Sequence, residues 1–245
     1  MKRGEIISLG RHKLMCGDAT SSSDIGQLIA EHTIDLILTD PPYGMECQKK
    51  SGTVGSDKLP PVSFPFHKSP KLKKYPLMIG DTNQETARIN YELTQNLTKH
   101  KIIFGGQYFT DFLPVNGGWI FWDKQNGTND FSDGELAWRS WGQKVCKYEH
   151  MWSGMIRAGS PKLNGKTRYH PTQKPVELLA NILEDFCAKE GVVLNCFGGS
   201  GATLIACEIT GRTCLMMEIS PEYCDVIKER YESIKGIFSE WEPPK

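Results

Sequence analysis

The sequence predicts an α/β protein built on a doubly wound, mostly parallel sheet, and three observations lead there. Short continuous apolar runs, "IDLILT" (34–39), "KIIFGG" (101–106) and "VVLNCF" (192–197), have the pattern of strands covered on both faces. Segments with a one-sided apolar stripe alternate with them, as helices packed on such a sheet would. From Val192 onward the chain reads strand, glycine turn, helix, strand, helix, a βαβα unit with parallel strands.

In chain order, "HKLMCGD" (12–18) reads as a short strand ending in a turn, and "SSDIGQLIAEH" (22–32) as a helix opened by Ser and Asp. After the strand at 34–39, residues 44–75 hold Gly, Pro, Ser and Lys with no period, too long a stretch for an ordinary loop in a compact domain. A helix is expected from about Asn83 to Lys99, then strands at 101–106 and 118–124. Residues 125–168 read as irregular, rich in Gly, Trp and basic side chains. Pro175 opens a helix that stops near Gly191, with Val176, Leu179, Leu183 and Phe186 on one face. The last unit comprises a strand at 192–197, the turn "GGSG" (198–201) and a helix at 202–210 closed by Gly211. A strand at 213–218 and a Ser-capped helix at 220–234 complete it.

The 245 residues, 39% hydrophobic and 24% charged, suit a globular protein with a substantial core and exclude a disordered chain. No apolar stretch approaches the roughly 20 residues that span a bilayer, and "MKRGEIISLG" lacks the apolar core of a signal peptide, so a cytoplasmic location is expected. Eight cysteines form no C-x-x-C pair and no zinc-finger spacing; they read as reduced, structural thiols, and no metal is expected. The formal net charge of zero hides two basic segments. Residues 46–75 carry seven Lys against two acids, and 139–174 carry eight Lys/Arg against Glu149. Each suits a phosphate-facing surface or an ordinary solvated loop, and charge alone does not separate the two.

"TDPPYG" (39–44) ends a buried strand with an acid, two prolines and an aromatic ring. Proline has a fixed φ and no N–H, so the pair holds its carbonyls rigidly beside the Asp40 carboxylate. The stretch therefore offers a pair of hydrogen-bond acceptors and a stacking plate, or else simply a stiff strand-ending turn. Downstream, "GGSG" lets backbone approach a ligand at a helix N-terminus, and Glu218, 17 residues after Gly201, ends the next strand as a candidate partner for ribose hydroxyls. An adenosine-containing cofactor fits this pattern. A dinucleotide fits less well, because Leu204 stands where that fingerprint wants Gly or Ala.

Taken together and in this order, "TDPPYG", "RYHPTQKPVELL" (168–179) and "NCFGGSGAT" (195–203) resemble the amino-methyltransferases of DNA. The resemblance is to their β-ordered group, in which the catalytic motif precedes the cofactor motif, and it runs from "MCGDAT" to "MMEISPEYCDVIKERYE". It implies a seven-stranded sheet of the S-adenosylmethionine-dependent methyltransferase type, that cofactor, and transfer to an exocyclic amine of a base flipped out of double-stranded DNA. Carried over by motif, Phe197, Gly199, Ser200 and Gly201 form the cofactor's glycine loop, Glu218 binds ribose and Asp18 contacts the adenine moiety. His170, Thr172 and Lys174 belong to the motif at the methionine end. The family commonly shows Asp-Pro-Phe where this chain has Asn195-Cys196-Phe197, so an amide replaces one carboxylate contact to the methionine amine.

Asp40, Pro41, Pro42 and Tyr43 are the implied catalytic residues, the Asp40 carboxylate and Pro41 carbonyl accepting the two amine N–H groups and Tyr43 stacking on the base. An opening Asp favours adenine N6 in this family; cytosine N4, and less so an RNA amine, are the alternatives. A homodimer and a cognate restriction endonuclease are the further partners the family suggests, in a bacterial, archaeal or phage-encoded setting. Residues 1–245 are expected to form one methyltransferase domain. Within it, 45–79 is read as a mobile basic loop and 125–167 as an inserted target-recognition segment. The candidate readers there are Trp138, Arg139, Trp141, Trp152 and Arg157, although core packing is the commoner place for a Trp.

Overall fold

The computed structural model describes residues 1–44, 80, 82–127, 132–153, 156–165 and 169–236. The basic segment 45–79 lies outside the described residues.

Nine strands form one sheet: β1 (Ile6–Leu9), β2 (His12–Cys16), β3 (Leu36–Thr39), β4 (Lys101–Phe104), β5 (Trp119–Asp123), β6 (Gly134–Arg139), β7 (Val145–Glu149), β10 (Val192–Asn195) and β11 (Thr213–Glu218). β8 (Trp152–Ser153) and β9 (Ile156–Arg157) make a separate two-stranded ribbon. The helices are α1 (Ser22–Ile29), α2 (Glu85–Thr94), α3 (Pro161–Asn164), α4 (Val176–Phe186), α5 (Ala202–Thr210) and α6 (Pro221–Ile234). The sheet order is β1-β2-β11-β10-β3-β4-β6-β5-β7, and the five strands from β2 to β4 are mutually parallel.

The strands lack polar/apolar alternation because both faces are covered. In β3, Leu36 and Leu38 join the layer that holds α4, α5 and α6, while Ile37 joins α1 on the other side. β11 divides the same way, Cys214 and Met216 against Leu215 and Met217. The doubly wound architecture is thus as the sequence predicts. Of the seven described cysteines, six are buried in these layers. Among the described residues no helix is long and apolar enough to cross a membrane.

Two features differ from expectation. Among the described residues the sheet has nine strands rather than seven, the short strands β1 and β7 lying at its two edges. β7 ("VCKYE") alternates exposed with half-buried residues and has no continuous apolar run to signal it. The segment 125–168 is also not irregular: β6 inserts between β4 and β5, antiparallel to both. Its sequence "GELAWR" places charges at Glu135 and Arg139 inside a strand, which hides the pattern.

Most of the proposed base readers are accordingly core. Trp138 packs with Ile103, Phe109 and Leu113, and Trp152 is buried in the main cluster. Arg139 is buried, its guanidinium over the rings of Trp141 and Phe186, and donates to the Lys144 carbonyl at 2.6 Å.

Candidate active site

From β3 the chain passes through α2 to β4 on one side; from β10 it passes through α5 to β11 on the other. The strand order therefore reverses between β3 and β10, where open α/β sheets bind ligands beyond the carboxyl ends of their strands. A cleft opens there, with Asp40, Pro41, Pro42 and Tyr43 after β3, Phe197, Gly199 and Ser200 after β10, and Glu218 at the end of β11. His170, Thr172 and Lys174 line it from the segment before α4, and Asn195 from below. Sequence-distant motifs thus converge on one site.

Both Asp40 oxygens have partners. Oδ1 accepts from the Tyr43 hydroxyl at 2.5 Å, and Lys174 Nζ lies 2.6 Å from Oδ2. Lys174 also pairs with Glu135 Oε2 at 3.0 Å, and Glu135 Oε1 with Lys124 Nζ at 2.6 Å. Burial alone would lower the Lys174 ammonium, but Asp40 and Glu135 outweigh it and hold its pKa above the ordinary lysine value. Burial pushes the Glu135 carboxyl up, yet Lys174 and Lys124 bring it down to about 2. Lys174 therefore pairs with Asp40 and Glu135 while lining the cleft. A buried ammonium needs carboxylate partners, and these two are within reach.

The Tyr43 ring stacks on Tyr108, centroids 5.0 Å apart, and burial followed by Asp40 raises its phenol well above the usual value. It occupies the place a side chain at Gly105 would take: a Cβ there would lie 2.1 Å from Tyr43 Cε1, and Gly105 has φ +71°. Gly105→Ala is expected to destabilise the protein by about 1–2 kcal/mol for the left-handed conformation, plus the displacement of the ring. Gly211→Ala is the control, with φ +75° and nothing within 4 Å. Thermal unfolding of the pair checks this; equal losses would mean that the ring is not held there.

The glycine turn is braced from below. Gly199 and Gly201 have φ of +52° and +78°, and a Cβ on Gly201 would meet Ile227 at 2.9 Å. Buried Arg230 donates to the carbonyls of Ser200 at 2.7 Å and Leu163 at 2.6 Å. Glu218 accepts from the Gly199 N–H at 2.7 Å and the Ser220 N–H at 2.9 Å, one bond per oxygen, which leaves lone pairs for a ligand. Burial raises its carboxyl, against the backbone N–H groups of Ser220, Gly199 and Ile219. His170 lies edge-on to Tyr223, and burial, then Lys174, lowers its imidazole to about 4, so it is neutral near pH 7.

Asn195 is buried structure: Oδ1 accepts from Thr39 Oγ1 and the Phe197 N–H, and Nδ2 donates to Thr203 Oγ1. It ties β3, β10 and α5 together under the cleft. Gly201 shapes the turn without lining the cleft, and neither does Asp18, whose Oδ1 accepts from the Thr20 N–H and hydroxyl while Arg3 lies 3.6 Å from Oδ2. Sequence reasoning missed Glu135, Lys124, Gly105 and Arg230. Only Gly105 carried a signal, as the first Gly of "GG" directly behind a buried strand.

A family model described as DNA methylase, of the N6/N4 methyltransferases, matches residues 70–229. Type II methyltransferase M2.MboI of Moraxella bovis is 29% identical over 164 residues, a match that spans 57% of this chain and 58% of that relative. Among solved structures, the M1.HpyAVI–SAM complex superimposes with a TM-score of 0.51 at 22% identity, covering 89% of this chain and 98% of that one. The PvuII DNA methyltransferase, cytosine-N4-specific, gives a TM-score of 0.54 at 15% identity over 95% and 93%. With its family model matched over more than half its length, and with the glycine turn and Asp-Pro-Pro-Tyr wall facing one cleft, the chain belongs to the N6/N4 DNA methylase family.

Proposed function

We propose that the protein transfers a methyl group from S-adenosylmethionine to the N6 amine of adenine in duplex DNA. The observation that carries this reading is Asp40, held by Tyr43 and Lys174 on the cleft wall that faces the glycine turn and Glu218.

The cofactor half of the cleft fits S-adenosylmethionine: a backbone turn without side chains at Gly198 and Gly199, and a Glu218 carboxylate with lone pairs left for ribose hydroxyls. When bound, that cofactor supplies an electrophilic methyl group. The lone pair of a ring-conjugated amine is delocalised, which makes it a weak nucleophile. The Asp40 carboxylate and the Pro41 carbonyl accept its two N–H bonds, favour a pyramidal nitrogen and stabilise the positive charge that develops there. Asp40 then takes the proton that the methylated amine releases, directly or through water. Tyr43, backed by Tyr108, gives an aromatic wall for a base turned out of the stack.

The adenine assignment rests on Asp at the head of the tetrapeptide. Unmethylated genomic DNA incubated with the purified protein and S-adenosylmethionine, digested and read by nucleoside mass spectrometry, is expected to contain N6-methyladenine. N4-methylcytosine would keep the mechanism and replace the base; neither product, with cofactor bound, would bring down the DNA reading.

A further inference from the structure

We propose that Glu135 is a positioning residue for methyl transfer, acting through Lys174 to fix the Asp40 carboxylate. This rests on Asp40 being the acceptor of the target amine.

The four side chains form a row of alternating charge, Asp40, Lys174, Glu135 and Lys124, with contacts of 2.6, 3.0 and 2.6 Å. Its members come from four places in the chain: the turn after β3, the segment before α4, β6 and the end of β5. The sheet register brings Glu135 there. Phe104, the last residue of β4, pairs with Ala137, while Glu135 lies two residues further along and pairs with Trp122 of β5. The β5–β6 pair thus extends beyond the carboxyl end of β4 and places Glu135 at the level of the cleft.

A lysine has three donors and a carboxylate about four lone-pair sites. Tyr43 and Lys174 use two of the sites on Asp40, and the others are available to an amine. With the Glu135 carboxylate 3.0 Å away as a second ion-pair partner, Lys174 is held from two sides, with the Phe104 ring 4.9 Å from its Nζ. Without Glu135 the ammonium has Asp40 as its one carboxylate and is free to swing, carrying the Asp40 oxygen with it. The groups that face this row are Tyr43 and Tyr108 on the β3 side, and His170 on the Lys174 side. Neither the glycine turn nor Glu218 touches it, so cofactor affinity and transfer rate are separable.

The test compares the full-length protein with Glu135→Gln, Glu135→Asp and Asp40→Ala. Cofactor binding is followed by calorimetry, and single-turnover transfer to unmethylated duplex DNA from pH 6 to pH 10. Glu135→Gln is expected to bind S-adenosylmethionine like the parent and to transfer up to about 10²-fold more slowly. The parent's rate should stay level to pH 10, since both carboxylates hold the Lys174 ammonium above the ordinary lysine value, whereas that of Glu135→Gln should turn down within the range, because Lys174 loses its proton sooner with one carboxylate than with two. Glu135→Asp keeps the charge on a shorter arm and should lie between the two. A purely structural role would reduce stability and cofactor affinity together and leave the alkaline limb where it was. That pattern, or a parent-like rate and profile, overturns the proposal. Should Glu135→Gln not fold, Glu135→Asp carries the test: slower transfer with a displaced alkaline limb supports the proposal, and parent behaviour overturns it. If Asp40→Ala is fully active, it is the assignment of Asp40 that fails. If Asp40→Ala is inactive and Glu135→Gln parent-like, only the role of Glu135 falls.

Discussion

Asp40→Ala is expected to slow methyl transfer by about 10²–10⁴-fold while cofactor affinity stays near the parent's. On the proposed mechanism the substitution removes the charged acceptor of an amine N–H and the proton acceptor of the final step, and it leaves untouched the Gly199 and Ser220 bonds that set Glu218. The fold should survive, because Lys174 keeps Glu135 at 3.0 Å and is not stranded as an unpaired buried cation. Single-turnover kinetics beside calorimetric titration of the cofactor separate the two quantities. Equal losses in both would mean that Asp40 supports the cofactor site instead of the reacting amine.

Lys174→Met is expected to be costlier to the fold. Breaking a buried ion pair by removing one partner typically costs about 3–5 kcal/mol, since the remaining charges are desolvated without compensation. Here Asp40 and Glu135 would face a shared apolar side chain, with Tyr43 and Lys124 as their remaining partners. The loss should depend on pH in a definite direction. In the parent, Glu135 has its carboxyl lowered from 4.5 to about 2. It therefore contributes stability that is present above pH 4.5 and disappears as pH falls toward 2. Removing Lys174 takes away the larger of the two cationic causes and lets burial raise the carboxyl, so this contribution shrinks. Denaturant melts should thus show a large gap between variant and parent at pH 7 and a narrower one near pH 3. A gap that is independent of pH would mean that the lysine's packing, and not its charge, is what the fold needs.

The parallel half of the fold was legible because each strand there is a short apolar run between turn signals, and because helices with one-sided stripes separate the runs. Asp40, Tyr43 and the glycine turn were legible for a different reason: rigid or unusually permissive residues stand directly at strand ends. The antiparallel half was not. Arg139 is buried by stacking on Trp141 and Phe186, so a charged residue that reads as surface is core. Lys174 shows the same difficulty within the site. Its motif marked it as a candidate site residue, but its second carboxylate partner, Glu135, lies 39 residues away on a strand whose pattern is hidden. Asn195, read as an amide in place of a carboxylate, also braces β3 to α5, which the sequence did not signal.

β6 belongs at once to the sheet core, through Trp138, and to the charge row behind Asp40, through Glu135. This has a consequence for engineering specificity. On the role proposed for Glu135, residues 125–167 are not a detachable cassette, because a graft cut at residue 125 also replaces the acid that pairs with Lys174. Junctions placed after Arg139 keep the donor's loops and the recipient's chemistry, and any exchange that starts earlier must bring an acid at position 135 with it.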